Sequence, residues 1–249
     1  MRGTFIQINE AITLINDANE ATYYLVCGDN KALMIDSGWG YDNVMELAKE
    51  ITALPVELVN THGHLDHVYG NMYCERAWLH PKDFIICEDH FKHDVLKSIN
   101  ASLKCCPLVP ACGGQIFDLG SLELEVIELP GHTPGSICLI DKKHRILFSG
   151  DALNPYLWAQ LDESAPLSTY KATIEKVMDT YGKDFDYHLS GHTTKLIAKE
   201  SINKLLHAMD DIINGKAKSE DYKWFGGISK SYAYGDSDYE VICYNANNI

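Results

Sequence analysis

The chain has 249 residues, 46% of them hydrophobic, and its 35 acidic against 21 basic side chains give a formal net charge of −14. That length and apolar content suit one large domain that builds its core without disulfides, and the negative field excludes polyphosphate backbones, hence nucleic acid, as natural partners. No apolar run reaches the roughly 20 residues that span a bilayer and no charged-then-apolar leader opens the chain, so we expect a cytoplasmic protein with no membrane partner, whose eight cysteines stay reduced.

In chain order, Phe5–Ile8, Ala21–Cys27 and Lys31–Ile35 read as strands, the last two joined by the turn Gly28-Asp29-Asn30. Asp36 follows the third, in Met34-Ile35-Asp36-Ser37-Gly38. Tyr41–Ala53 carries apolar residues at Val44, Leu47, Ala48 and Ile51, a helical spacing closed by Pro55. Val56–Asn60 is the next strand and runs into Thr61-His62-Gly63-His64-Leu65-Asp66-His67. Imidazole is the commonest metal ligand and a carboxylate completes such a site, so this cluster at a buried strand end reads as a metal cradle. A strand-helix-strand unit that ends on ligands places the site where α/β folds usually place function.

Arg76–His80 reads as a short strand and Pro81–Phe91 as a helix with proline in its first turn. Lys92–Gly114 reads as irregular after a short helix. Its Cys105, Cys106 and Cys112 lack a Cys-x-x-Cys spacing and are expected to be reduced thiols. Gln115–Leu119, Leu122–Leu129, Ser136–Asp141 and Arg145–Ser149 form a run of short strands, interrupted by Gly131-His132 and followed by Gly150-Asp151. Ser168–Tyr181 and Ile197–Asn214 are amphipathic helices flanking the strand Tyr187–Ser190, which leads to Gly191-His192. Terminal strands occupy Tyr222–Tyr244 around Tyr234-Gly235-Asp236. There is no repeat, low-complexity tract or linker. The basic clusters Lys142-Lys143-His144-Arg145 and Lys216-Ala217-Lys218 read as a turn and a solvated helix end.

Taken singly, a Gly-His is a turn residue and a Gly-Asp a cap or Asx-turn. As an ordered set at strand ends, each beside a glycine that permits close backbone approach, they become ligands, because the cluster at 62–67 needs partners from other strands. Of the remaining histidines, His80 is expected to start a helix, His90, His93, His144 and His207 to lie on the surface, and His188 to be a satisfied core residue. Asn154–Leu167, with Tyr156, Leu157 and Trp158, is expected to be a loop walling the site, and Trp39 to stand on a facing wall. Tyr156 is either an oxyanion donor or a packing aromatic.

With these motifs in order from Asp36 to His192, the chain resembles the metallo-β-lactamase-fold hydrolase superfamily: His-x-His-x-Asp-His, then Gly-His, Gly-Asp and a final Gly-His. The resemblance implies one α/β domain over residues 1–249, a four-layer αββα sandwich of two mixed β-sheets with helices on both outer faces. It implies one metal on His62, His64 and His132, a second on Asp66, His67 and His192, Asp151 bridging both, and Asp36 in support. The imidazole-rich, thiolate-free set favours two zinc ions per chain, with iron or manganese as alternatives. Such a pair acidifies water and polarises a carbonyl, so the implied reaction is attack by a metal-bridging hydroxide on a small ester, thioester or lactone, in a glyoxalase II or lactonase-like branch. Asp66 is then both ligand and proton carrier to the leaving group, and Tyr156, Trp158 and Trp39 are the candidate substrate-binding residues.

Alternatives within the fold are a mononuclear-iron persulfide dioxygenase-like oxidoreductase and a phosphodiesterase or ribonuclease. The acidic balance argues against the nuclease, and the complete ligand set argues against an idle binding module. β-Lactamases of this fold usually lack the aspartate represented by Asp151. Glyoxalase II-like enzymes continue after Gly-Asp with a Gly-Arg segment, whereas this chain reads Leu153-Asn154-Pro155-Tyr156-Leu157-Trp158, which leaves glutathione recognition open. Flavodiiron proteins carry glutamate where this chain has His64.

Overall fold

The structure, a computed structural model, describes residues 3–92 and 104–249. His93 and the short helix expected after Lys92 lie outside the described residues. The first sheet runs in chain order: β1 (Thr4–Gln7), β2 (Ile12–Asp17), β3 (Ala21–Cys27), β4 (Ala32–Ile35), β5 (Val56–Val59), β6 (Ala77–Leu79) and β7 (Leu108–Pro110). Strands β1 to β4 pair antiparallel and β4 to β7 parallel. A parallel pair needs a crossover, and α1 (Val44–Ile51) carries the chain from β4 to β5.

The second sheet contains β8 (Ile116–Asp118), β9 (Glu123–Glu128), β10 (Ile137–Asp141), β11 (Ile146–Gly150), β13 (Tyr187–Ser190) and β14 (Ile197–Ala198). A third, four-stranded sheet joins β12 (Tyr156–Ala159) to β15 (Glu220–Trp224), β16 (Gly227–Ala233) and β17 (Val241–Tyr244). The other α-helices are α2 (Leu65–Val68), α3 (Phe84–His90), α4 (Leu167–Tyr181) and α5 (Glu200–Ile213).

Side chains alternate across each strand, and the alternation sorts the core into layers. Leu14, Tyr24, Leu33 and Ile35 meet Val126, Leu139, Phe148 and Leu189 between the two main sheets. Their neighbours Ile15, Tyr23, Leu25 and Met34 point the other way, onto Val44, Leu47 and Ala48 of α1. On the far side Ile127, Cys138, Ile140 and Leu147 pack against Tyr170, Ile174 and Val177 of α4 and Ile202, Leu205 and Met209 of α5, the i, i+3, i+4, i+7 stripes of amphipathic helices. The result is the αββα sandwich that the resemblance implies.

Several expectations need correction. Strand β2 escapes sequence reading because five of its six residues are buried, leaving no polar alternation, and β7 is a three-residue strand that pairs with β6. Asn154–Leu167 is not a loop throughout. Residues 156–159 form β12, which pairs in parallel with β17, Leu157 opposite Ile242, and buries Leu157 and Ala159 in the α4–α5 core. The helix expected from Ile197 starts at Glu200, because Ile197–Ala198 pairs with β13 and Lys199 N–H donates to the Asp186 carbonyl. His144 is not a surface group: its ring closes onto the fully buried Asp141 carboxylate (Nδ1–Oδ2 2.5 Å), which needs a partner to be tolerated there.

Candidate metal centre

Four strand ends deliver the seven expected side chains to one edge of the sandwich. The chain leaves β5 through Thr61 and His62, and His64 stands at the N-cap of α2, whose first turn presents Asp66 and His67. His132 comes from the β9–β10 connection, Asp151 from the end of β11 and His192 from the end of β13. Ring centroids of His62, His64 and His132 lie 4.7 to 4.9 Å apart. Ligand atoms of His62, His64 and His132, of Asp66, His67 and His192, and of His62, His67 and Asp151 form groups within 4.8 Å. Asp151 stands between the triads: its Oδ2 is 3.7 Å from His132 Nε2 and 3.1 Å from His192 Nε2, and its Oδ1 is 3.5 Å from His67 Nε2.

Each histidine is held from behind by an acceptor, which decides which nitrogen faces the cluster. The Thr61 hydroxyl donates to Asp36 Oδ2 (2.8 Å) and so accepts from His62 Nδ1 at 3.0 Å. His67 Nδ1 donates to Asp36 Oδ2 at 2.9 Å, and His132 Nδ1 to the Trp158 carbonyl at 2.8 Å. His64 Nε2 donates to Glu163 Oε1 at 2.8 Å, and His192 Nδ1 to the Glu20 carbonyl at 2.7 Å. Asp36 also accepts from Thr61 N–H at 2.7 Å and adopts a left-handed backbone, φ 65°, uncommon for a residue with a side chain.

The inward atoms test whether this donor set fits a metal. His62 Nε2, His67 Nε2 and Asp151 Oδ1 are buried with no hydrogen-bond partner, a costly state unless something else pairs them. His64 Nδ1 and His132 Nε2, whose protons sit on the opposite ring nitrogens, present two lone pairs to each other at 2.9 Å. Lone pairs at that distance repel, and a cation beside them converts both into ligands. The residues fit a metal.

The charges within the cluster reinforce this. Burial, then the neighbouring imidazoles His67 and His64, holds His62 well below the usual histidine range, and burial followed by His64 pushes His132 down to about 4. Burial also opposes protonation of His192, but Asp151 and Asp66 outweigh it and raise that ring to about 9. For Asp151, burial is outweighed by His192 and His67, which keep the carboxyl well below its ordinary value.

Two supports were invisible in the sequence. Glu163 orients His64 across 99 positions, and nothing in the spacing around it signals that partner. Asp83, fully buried, accepts from Gly63 N–H (2.8 Å), Thr133 Oγ1 (2.6 Å) and Gly135 N–H (2.7 Å), clamping the 62–67 loop to the His132 loop. Burial pushes its carboxyl up, and those three donors pull the other way.

Of the aromatic candidates, Trp158 lies against His132 through its backbone, and its ring packs on Trp224 and Phe225, both centroids 6.0 Å away. Tyr156 points its phenol toward Cys243 Sγ (3.9 Å), and Trp39 stacks on Tyr41 and edges onto Tyr69. The structure therefore joins Trp158 to the cluster and places the other two in packing contacts. His80 caps the turn at Pro81, as expected, and His188 is buried between Ser149 and Ser201. His80, Cys112 and Glu128 also come together. However, His80 Nδ1 accepts from Lys82 N–H, so Nε2 carries the proton facing Glu128 and offers no lone pair. All eight cysteines are free, and Cys105 neighbours Cys87 (Sγ–Sγ 3.6 Å) rather than Cys112.

An αββα sandwich with two imidazole-rich triads at one sheet edge defines a metal-binding protein of the metallo-β-lactamase fold. The sequence model of the metallo-beta-lactamase superfamily matches residues 17–208, and the chain belongs to that superfamily. Over 189 residues it is 28% identical to the acyl-coenzyme A thioesterase MBLAC2 of Gallus gallus, a match covering 65% of this chain and 68% of that protein. Over 139 residues it is 31% identical to the hydroxyacylglutathione hydrolase GloC of Haemophilus influenzae, covering 52% of this chain and 65% of that protein. The chain thus spans about two thirds of the length of these curated relatives. A metallo-beta-lactamase from Pontibacter korlensis shares the fold with a TM-score of 0.63 at 19% identity, over 84% of this chain and 100% of its own. Among the described residues, no helix is long and apolar enough to cross a membrane.

Proposed function

We propose that the chain is a metal-dependent hydrolase of thioesters, within the wider class of ester and lactone substrates, using two zinc ions in the cytoplasm. The observation that carries this reading is the set of five histidines, each locked from behind, with the inward nitrogens of His62 and His67 left without a partner. His62, His64 and His132 would hold one ion and Asp66, His67 and His192 the other, with Asp151 between the two groups. The chemistry such ions would supply when bound is a water made nucleophilic at neutral pH and a polarised scissile carbonyl. Relatives named acyl-coenzyme A thioesterase and hydroxyacylglutathione hydrolase support a thioester over other acyl compounds.

Asp66 carries the proton. Its Oδ2 is 3.5 Å from His67 Nε2 and 3.4 Å from His192 Nε2, and although burial opposes ionisation, His67 and His192 keep the carboxyl well below its ordinary value. An ionised carboxylate there takes the proton released on attack and hands it to the departing atom. Trp158, beside His132, contacts the substrate, and Tyr156 and Trp39 support the walls around it.

The test is elemental analysis after zinc loading, combined with a panel of thioesters, esters and lactones. Two ions per chain and hydrolysis led by thioesters are expected. One tightly held iron with oxygen-dependent turnover of a persulfide would replace this reading with the dioxygenase alternative.

A further inference from the structure

Beside the metal cluster lies an open groove of about 760 Å³ that has His192 in its wall. Its apolar backing comes from Leu153, Ile202, Leu205 and Tyr234, and the Tyr234 hydroxyl is already committed to the Pro155 carbonyl at 2.9 Å. Volumes of roughly 300–1,000 Å³ are typical of small-molecule sites, where apolar walls bind and a few polar groups orient. Charge in the groove is sparse and mostly negative. Glu20 and Glu240 lie on the rim with Lys195, Glu240 is answered by Lys204 at 3.2 Å, and Glu20 accepts from the Tyr41 hydroxyl at 3.1 Å.

We infer that this groove receives the leaving-group arm of the substrate and selects an uncharged, amide-bearing thiol over one that carries carboxylates. The inference rests on the thioester-hydrolase reading. In that reaction the oxygen of water bonds to the acyl carbon, the carbon–sulfur bond breaks, and sulfur departs with the electron pair and takes up a proton. The group that supplies the proton is Asp66, whose Oδ2 is 3.4 Å from His192 Nε2. Asp66 Oδ2 is also 3.5 Å from His67 Nε2, but His67 is buried and His192 is open, so sulfur departs on the side that His192 borders and the arm bonded to it runs into the groove. The acyl side is left facing Trp158 on the His132 flank.

The charge preference follows from the same residues. An arm bearing two carboxylates meets Glu20, Glu240 with its partner Lys204, one lining cation, Lys195, and the field of a chain with net charge −14. An uncharged amide arm meets no such repulsion, and the Asn19 side-chain N–H groups in the same wall, whose amide oxygen is held by Asn16 at 2.7 Å, can donate to its carbonyls.

The full, zinc-loaded chain should be assayed with S-acetylpantetheine, S-acetylglutathione and ethyl thioacetate. The pantetheine thioester should exceed the glutathione thioester at least tenfold in kcat/KM. Thr194→Trp, an exposed position in the groove wall, should lower the ratio of pantetheine to ethyl thioester turnover at least tenfold with metal content unchanged. S-Methylpantetheine, which cannot be hydrolysed, gives a readout free of catalysis: calorimetry should show its affinity falling at least tenfold in the same variant. Hydrolysis of all three thioesters without an arm preference, and unaltered by Thr194→Trp, would overturn the groove assignment alone. Failure to hydrolyse any of them would overturn the hydrolase reading on which it rests.

Discussion

The two triads of the cluster are built differently. Around His62, His64 and His132 every ligand is an imidazole, the side chain of His132 is 2% exposed, and the supports include a carboxylate and a hydroxyl. Around Asp66, His67 and His192 there is a carboxylate among the ligands, His192 is 31% exposed and its support is a backbone carbonyl. The first triad is enclosed and uniform, suited to holding a charge in place. The second is open and contains a group that can exchange a proton. On the proposed mechanism, holding and reacting fall on opposite sides of a single aspartate, Asp151.

The sharpest way to break that division is Asp66→Asn, which keeps an oxygen near the second triad but removes the charge and the proton path. A positioned acid or base contributes about 10²–10⁴-fold, or roughly 2.7–5.4 kcal/mol of barrier. Turnover should fall at least about a hundredfold even when excess zinc restores full occupancy, and the loss should shrink for thioesters with good leaving groups. Near-normal kcat on a poor leaving group would return Asp66 to a purely binding role.

Next comes Glu163, the carboxylate behind the first triad. Loss of such an outer support typically weakens metal affinity by about 10–100-fold, so Glu163→Ala should lose that much in chelator competition, with Glu163→Gln in between because its amide oxygen still accepts from His64. Equal affinities for all three proteins would show that the enclosed triad needs no help from outside.

A third test looks beneath the second triad, to the strand that carries His192. His188 on that strand is fully buried, and burial lowers its pKa from 6.5 to about 4. The unfolded chain therefore binds more protons than the folded one between those values, and stability is lost as pH falls through that window. From pH 7 to pH 5 this single group should cost on the order of 2 kcal/mol. Denaturant titrations at both values should show that loss in the wild type and a smaller one in His188→Gln.

The smallest effect is expected at Trp158, whose backbone serves His132 while its ring faces outward among other aromatics. Trp158→Ala keeps the carbonyl, so metal content should hold while kcat/KM shifts a few-fold, about 1 kcal/mol, between short and bulky acyl groups. Uniform kinetics across acyl groups would take the ring out of specificity.

The residues legible from sequence share one property: they sit at strand ends beside glycine, so local pattern and position coincide. His62 to His67 announce themselves, and His132, Asp151 and His192 follow once their partners are sought. Glu163 and Asp83 carry no such mark, because their roles arise only when chain segments far apart in sequence close on each other. Strand β12 was hidden for the same reason, since its partner Val241–Tyr244 lies about 85 positions away. Strand β2 failed differently: burial on both faces erases the alternation by which a strand is read.

Asp36 links the two triads from behind. Through the Thr61 hydroxyl it sets His62, and through Oδ2 it sets His67, so the same left-handed residue is a common anchor for both triads. Ordering Asp36 for one ion also prepares it for the other, and such linkage is reciprocal by thermodynamic necessity. The ions should consequently load as a cooperative pair, with singly loaded molecules scarce along the titration, and releasing Asp36 should turn one steep uptake curve into two independent ones.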